Sequence, residues 1–258
     1  MANSPSGESV LERADRILAA FTAEEPRLTG AGIAARTGLP PATAHRLVRE
    51  MARRGWLDRV EGGRYVVGTR LWELANRSSR ELGLAQAARP FMGDIHAVLR
   101  QHVQLGIVEG REVLLVERLS HPRAVPVRSA VAGRLPLHLS ATGLVLLAHA
   151  PEDFRASYLE GPLPALTELS PTDPEVLAEE LARVRAAGHA LQTGYLETRT
   201  AGIAVPVRGR GDQVVAGLGV ITPAGDPAAR AGAIVQALHT AAHGIRRTLR
   251  ETRRDTDG

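Results

Sequence analysis

Histidine and arginine are the residues whose spacing suggests chemistry in this 258-residue chain. His239 and His243 form an i, i+4 pair on an expected helix, the spacing at which two imidazoles can share a metal ion. No HExxH glutamate accompanies them, so the pair reads as solvated. His138 and Ser140 suggest a base and a nucleophile, yet there is no G-x-S-x-G elbow to present a serine. Gly209-Arg210-Gly211-Asp212 reads as a hairpin turn, not a phosphate loop. The absence of cysteine excludes disulfides, thiolate metal sites and cysteine nucleophiles. The expectation is a non-enzyme with no cofactor and no metal.

The arginines are more informative. All 32 basic residues are arginine. Between Arg36 and Arg64 seven arginines face three acids, Glu50, Asp58 and Glu61, an excess of four that equals the formal net charge of the whole chain, +4. A guanidinium fork matches phosphate and the O6/N7 edge of guanine. Charge concentrated in one short stretch therefore points to nucleic acid, where a modest overall charge would not.

The elements that would position those arginines are legible. Ile33 and Ala34 give a short helix its apolar side, and Gly38 ends it in the left-handed turn that glycine accepts. Leu39 is the buried turn residue. Pro40 and Pro41 start a second helix, since proline suits the first turn. Ala44, Leu47, Val48 and Met51 make an i, i+3, i+4, i+7 stripe, which leaves Thr43, His45, Arg46, Arg49 and Arg53 on the opposite face. Two β-prone runs, 56–60 and 64–67, flank Glu61-Gly62-Gly63 as a hairpin with Arg59 and Arg64 near its tip. Helix, turn, helix and hairpin in that order predict a winged helix-turn-helix whose second helix enters the major groove. The expected DNA-binding residues are Arg36, Thr43, His45, Arg46, Arg49, Arg59 and Arg64.

Upstream, Ser9 and Glu12 fit a capping box that opens a helix running to about residue 23. Residues 1–8 read as disordered and 251–258 as a polar tail. The winged domain spans 9–69, and 70–84 reads as a linker helix. Its amphipathic surface either pairs with a second copy or packs on its own domain. Residues 85–250 form a second domain with helices expected at 87–100, from 140, at 151–159, 175–187 and 227–250. Strands are expected at 103–109, 113–119, 124–129, 203–207 and 213–221. Hairpins joining such strands imply an α+β domain with a mainly antiparallel sheet. No stretch is apolar enough to span a membrane. The polar N-terminus lacks the basic and apolar parts of a signal peptide, so the expected location is the cytoplasm.

From about Ser9 to Arg250 the chain resembles the IclR family of bacterial transcriptional regulators. The resemblance rests on Thr37-Gly38-Leu39-Pro40 with Thr43-Ala44-His45-Arg46-Leu47, and on Gly63-Arg64-Tyr65 with Gly68. Leu135-Pro136-Leu137-His138 followed by Gly143, Ala187-Gly188-His189-Ala190 and Gly202-Ile203-Ala204-Val205-Pro206-Val207 extend it. The resemblance implies a GAF-like C-terminal domain that binds a small effector. It also implies a homodimer or dimer of dimers on a palindromic double-stranded operator, more often as a repressor. The effector positions it implies are Ala141, Thr142, Gly143, Leu144, Gln192, Gly202, Gly219 and Ile221. Leu144 stands where family members usually carry lysine, Gly202 where cysteine is frequent, and Gly219 and Ile221 where serine hydroxyls are presented. A carboxylate needs donors to replace its hydration. Backbone amides near residues 141–143, with Thr142 and Gln192, supply some. The departures imply an effector larger or more apolar than a two- or three-carbon acid, an aromatic metabolite for instance. The competing reading is a domain that only dimerises. The alternative for the whole chain is a binding or interaction module without specific DNA recognition.

Overall fold

A computed structural model describes residues 8–22, 24–127, 131–225 and 227–251. The segments 1–7 and 252–258, and Arg128 and Ser129 of the expected third strand, lie outside the described residues. Glu8, expected in the disordered stretch, is anchored. Its carboxylate meets Arg16 at 2.7 Å and its carbonyl accepts from Arg13 at 2.7 Å. The chain divides into two units, 1–79 and 80–258.

The first unit begins with α1 (Val10–Ala19), closed by the Ser9–Glu12 capping box. Strand β1 (Leu28–Thr29) leads into α2 (Gly30–Thr37), where Thr29 Oγ1 accepts from the Gly32 amide at 3.0 Å. Gly38 closes α2 at φ 64°, the left-handed conformation expected of it. Helix α3 (Pro41–Arg53) buries Ala44, Leu47, Val48 and Met51. They meet Ile17, Ile33 and Leu57 in one apolar cluster. Strands β2 (Leu57–Val60) and β3 (Arg64–Val67) form the hairpin, and β1 adds to β3 as a third antiparallel strand. Gly62 and Gly63, at φ 73° and 68°, make its turn. At the base of the hairpin a Cβ on Gly68 would lie 2.2 Å from the Gly55 carbonyl oxygen, so only glycine lets these two segments meet.

The linker helix expected over 70–84 is two helices. Helix α4 (Thr69–Ser78) ends at Ser79, whose ψ of 119° is extended, and α5 (Arg80–Leu99) follows, absorbing the helix expected at 87–100. Serine, which stands at the break, is a weak helix former. The unit boundary falls there.

The second unit is a six-stranded sheet between two helical layers. Its strands are β4 (His102–Glu109), β5 (Glu112–Leu119), β6 (Arg134–Pro136), β7 (Ala190–Thr193), β8 (Thr200–Arg208) and β9 (Val214–Pro223). Their order is β6-β5-β4-β9-β8-β7, antiparallel throughout. Helix α5 and the long α9 (Pro227–Glu251) cover one face through Met92, Ile95, Leu238 and Ile245. The other face carries α6 (Ala141–Ala148), α7 (Glu152–Glu160) and α8 (Pro174–Ala187). Coverage on both sides explains why β8 is buried at eight of its nine positions and reads as a continuous apolar run.

The strand expected at 124–129 is not formed over its described part. Residues 121–127 are turn and irregular backbone, and the sheet edge is made by β6 instead, which pairs with Glu112–Leu114. Val125 and Val127 alternate as a strand would. Pro126 between them has no N–H to give a ladder, and the Val125 carbonyl is taken by His102 Nε2 at 2.6 Å.

Candidate nucleic-acid interface and effector cavity

In the first unit α3 and the hairpin enclose a concave surface lined by His45, Arg46, Arg49, Arg53, Arg59 and Tyr65. The buried stripe of α3 forces the arginines outward. Arg46 and Arg49 are exposed on the helix, and Arg59 reaches the same surface from β2, directly opposite Tyr65 in the register. Arg46 makes no hydrogen bond or ion pair among the described residues, so its guanidinium is available to a ligand. The His45 ring packs on Gly30, where a Cβ would come within 3.3 Å of Nε2.

Three expected DNA contacts lie outside this surface. Arg64 is exposed on the hairpin, across from Val60. Thr43 is half-buried on α3. Arg36 is engaged elsewhere: it pairs with Glu25 and donates to the Ala20 carbonyl at 2.8 Å, tying α2 to the loop before it. Its guanidinium is thus partnered within the unit and not presented on the α3 surface. Arg53 and Tyr65 join the surface although neither was an expected contact. The outward face of α3 and the strand alternation carried that signal.

In the second unit the expected effector residues fall on adjoining strands. Gln192 of β7, Gly202 of β8, Ile221 of β9 and His102 of β4 are successive partners across the sheet. A second row joins Ala204, Gly219 and Gln104. The start of α6 lies on this face, because the glycines let it approach. A Cβ on Gly202 would be 3.0 Å from both Ala141 Cβ and Gln192 Nε2, and one on Gly219 would be 2.8 Å from Thr142 Oγ1. The Thr142 hydroxyl thus occupies the space that a serine on β9 would need.

A small cavity results, lined by Ala141, Thr142, Gln192, Gly202 and Ile221 among the expected residues. Leu135, Leu196, Ile203 and Val220 make part of its wall apolar, and Val127 closes it from residues 121–127. Its free volume for a water-sized sphere is about 20 Å³, enough for one water and too little for a ring.

Gln104 is the polar residue that sequence reasoning missed, since it sits inside an apolar strand and reaches the cavity only through sheet pairing. It is buried, and its Nε2 donates to Thr142 Oγ1 at 3.2 Å. Its Oε1 is buried with no partner among the described residues. The first two amides of α6, Ala141 and Thr142, likewise have no acceptor among the described residues, as helix geometry requires of an N-terminus. The Gly143 amide differs, being capped by Ser140 Oγ at 3.0 Å.

Gly143 and Leu144 do not line this cavity. A Cβ on Gly143 would sit 2.1 Å from the Leu137 carbonyl oxygen, so this glycine is a packing contact. Leu144 is fully buried among Leu137, Leu147 and Leu177. Helix α6 is buried at every position, so its second residue can face the cavity while its fourth faces the core. His138 is structural as well. Its Nδ1 shares a hydrogen bond with Tyr158 Oη at 2.8 Å and its Nε2 meets the Pro164 carbonyl at 3.1 Å. Burial holds its pKa below the ordinary histidine value. Among the described residues no three His, Cys, Asp or Glu side chains gather as a metal site, and no helix is long and apolar enough to cross a membrane.

The order of these parts has a counterpart in known proteins. Residues 10–61 match the IclR helix-turn-helix domain and 77–247 match the bacterial transcriptional regulator IclR C-terminal domain. The chain belongs to the IclR family of bacterial transcriptional regulators. Its relatives are regulators, not enzymes. It is 32% identical over 227 residues to the HTH-type transcriptional regulator BhcR of Paracoccus denitrificans, covering 86% of this chain and 80% of that one. It is 30% identical over 214 residues to the HTH-type transcriptional regulator XynR of Escherichia coli, covering 82% and 85%. Among solved structures, an IclR homolog from Microbacterium hydrocarbonoxydans, complexed with 4-hydroxybenzoate, is 42% identical with a TM-score of 0.88. That match covers 94% of this chain and all of that one.

Proposed function

We propose that this IclR-family regulator is a cytoplasmic homodimeric repressor whose hold on a palindromic operator responds to an aromatic hydroxy acid in the cavity at the start of α6. The observation that carries the ligand class is buried Gln104, with one amide atom unpaired in a cavity whose wall combines Leu135, Leu196, Ile203 and Val220 with the polar Ser140, Thr142, Gln192, Glu197 and Thr200. An unpaired buried polar atom costs about 1–3 kcal/mol. A phenolic hydroxyl both donates and accepts, so it satisfies Gln104 in either orientation of the amide. The free amides of Ala141 and Thr142 suit a carboxylate, and Leu135, Leu196 and Ile203 suit a ring. The 4-hydroxybenzoate complex of the Microbacterium homolog supports the same class. The operator face is the α3 surface with Arg46, Arg49 and Arg59, with His45 beside them. Thr43 flanks it, and Arg64 on the hairpin reaches phosphate. A two-fold pair of such heads reads two half-sites.

Calorimetry with 4-hydroxybenzoate and benzoate tests the pocket. The wild-type chain should prefer the hydroxylated acid by about tenfold, and Gln104→Leu should abolish that preference, since the group it pairs is gone. Discrimination that survives Gln104→Leu, or no binding of either acid, would contradict the assignment.

A further inference from the structure

His102 lies at the end of the Gln192–Gly202–Ile221 row, on the cavity face of the sheet, yet it does not line the cavity. It is 5% exposed and both ring nitrogens are engaged. Nε2 meets the Val125 carbonyl at 2.6 Å, and Nδ1 meets Arg118 Nη2 at 3.1 Å. A carbonyl can only accept and a guanidinium can only donate. One tautomer satisfies both, the neutral ring with its proton on Nε2. Val125 is two residues from Val127, which closes the cavity. The same segment is steadied at its start by the His121 ring against His96, centroids 6.0 Å apart, and by the turn from the Ala124 amide to the His121 carbonyl. Beyond these contacts it has no ladder partner among the described residues, unlike the strands that line the cavity.

We infer that His102 positions the segment 121–127 over the cavity, linking Arg118 of β5 to the Val125 carbonyl and so setting how firmly the cavity closes on its ligand. The inference rests on the effector reading of this cavity. Because the free volume admits only a water, a ring enters when a wall yields; of the two irregular walls, the stretch 194–199 is tied by Thr167, Ser170 and Gln192, and this strap is tied at Val125 by His102.

The link also makes closure sensitive to acid. The charged and titratable groups around the ring are Arg118 from β5, His96 from α5 and, against His96, His121 from the strap. Burial, then Arg118 and His96, keep the His102 pKa below its ordinary value, against the opposing pull of the Val125 carbonyl. Since the folded value is depressed, the neutral link persists below the ordinary histidine pKa and is lost as pH falls through the lower, folded value. A second ring proton would face the Arg118 guanidinium.

Two variants test this. His102→Phe keeps the size and removes both hydrogen bonds; His102→Gln keeps an amide donor for Val125 and cannot be protonated. Backbone hydrogen exchange at residues 121–127, without ligand, should quicken in His102→Phe and stay near wild type in His102→Gln. Affinity for 4-hydroxybenzoate should drop about tenfold in His102→Phe, the effect of one or two hydrogen bonds, and be largely kept in His102→Gln. As pH falls from neutrality to below the ordinary histidine range, protection of the strap amides, taken relative to the intrinsic exchange rate at each pH, should fall in wild type and much less in His102→Gln. Unaltered exchange in His102→Phe, or equal acid response in wild type and His102→Gln, would overturn the inference. If wild type binds no 4-hydroxybenzoate, the effector reading fails, and the exchange comparison still decides the role of His102.

Discussion

Arg46→Ala will weaken binding to a selected operator duplex by about 1–3 kcal/mol while changing stability by less than about 0.5 kcal/mol. The asymmetry follows from its surroundings. Arg46 is exposed, has no partner among the described residues, and lies with His45, Arg49 and Arg59 on the concave face of α3. Removing it takes nothing from the core, because the apolar stripe Ala44, Leu47, Val48 and Met51 is on the other side. Two arginines serve as controls. Arg36→Ala removes an exposed ion pair and a bond to the Ala20 carbonyl. It should cost no more than about 1 kcal/mol of stability and leave operator affinity intact. Arg64→Ala should weaken binding to all sequences alike and lower the salt slope by about one. Gel shifts or fluorescence titration at several salt concentrations read all three. Unchanged affinity in Arg46→Ala would remove it from the reading face.

The second large effect is on stability. Leu144→Ala should destabilise the second unit by about 2–5 kcal/mol, the cost of the lost side chain plus the cavity it leaves. Leu144 has no exposed surface and is enclosed by Leu137, Leu147 and Leu177. Far-UV circular dichroism through urea unfolding is the probe, because both tryptophans, Trp56 and Trp72, belong to the first unit. A loss below about 0.5 kcal/mol would mean the site collapses freely or lies nearer the ligand than its packing indicates.

These two residues mark what the sequence discloses. The arginine face of α3 was legible because helix periodicity is local. The i, i+3, i+4, i+7 stripe names the buried side, and the outward side follows. The capping box at Ser9 and the left-handed Gly38 were legible for the same reason. The burial of Leu144 away from the cavity was not legible, because position in a motif says which helix turn is near the cavity, not which side of that turn faces it. Gln104 was invisible because its neighbour Thr142 is 38 residues away and meets it only once β4 lies under α6. Residues 124–127 looked like a strand from alternation alone, whereas Pro126 and the His102 link give their backbone another use. Strand β1, two residues long, offers no pattern at all.

The most direct measurement is operator affinity of the intact wild-type chain with and without saturating 4-hydroxybenzoate. A ligand alters DNA binding only if it binds the two states of the protein unequally. The account predicts a shift of about 1–3 kcal/mol toward weaker operator binding, the usual range of such coupling. It also predicts the reciprocal weakening of 4-hydroxybenzoate binding when operator is present. Binding of the acid with operator affinity unchanged would contradict it.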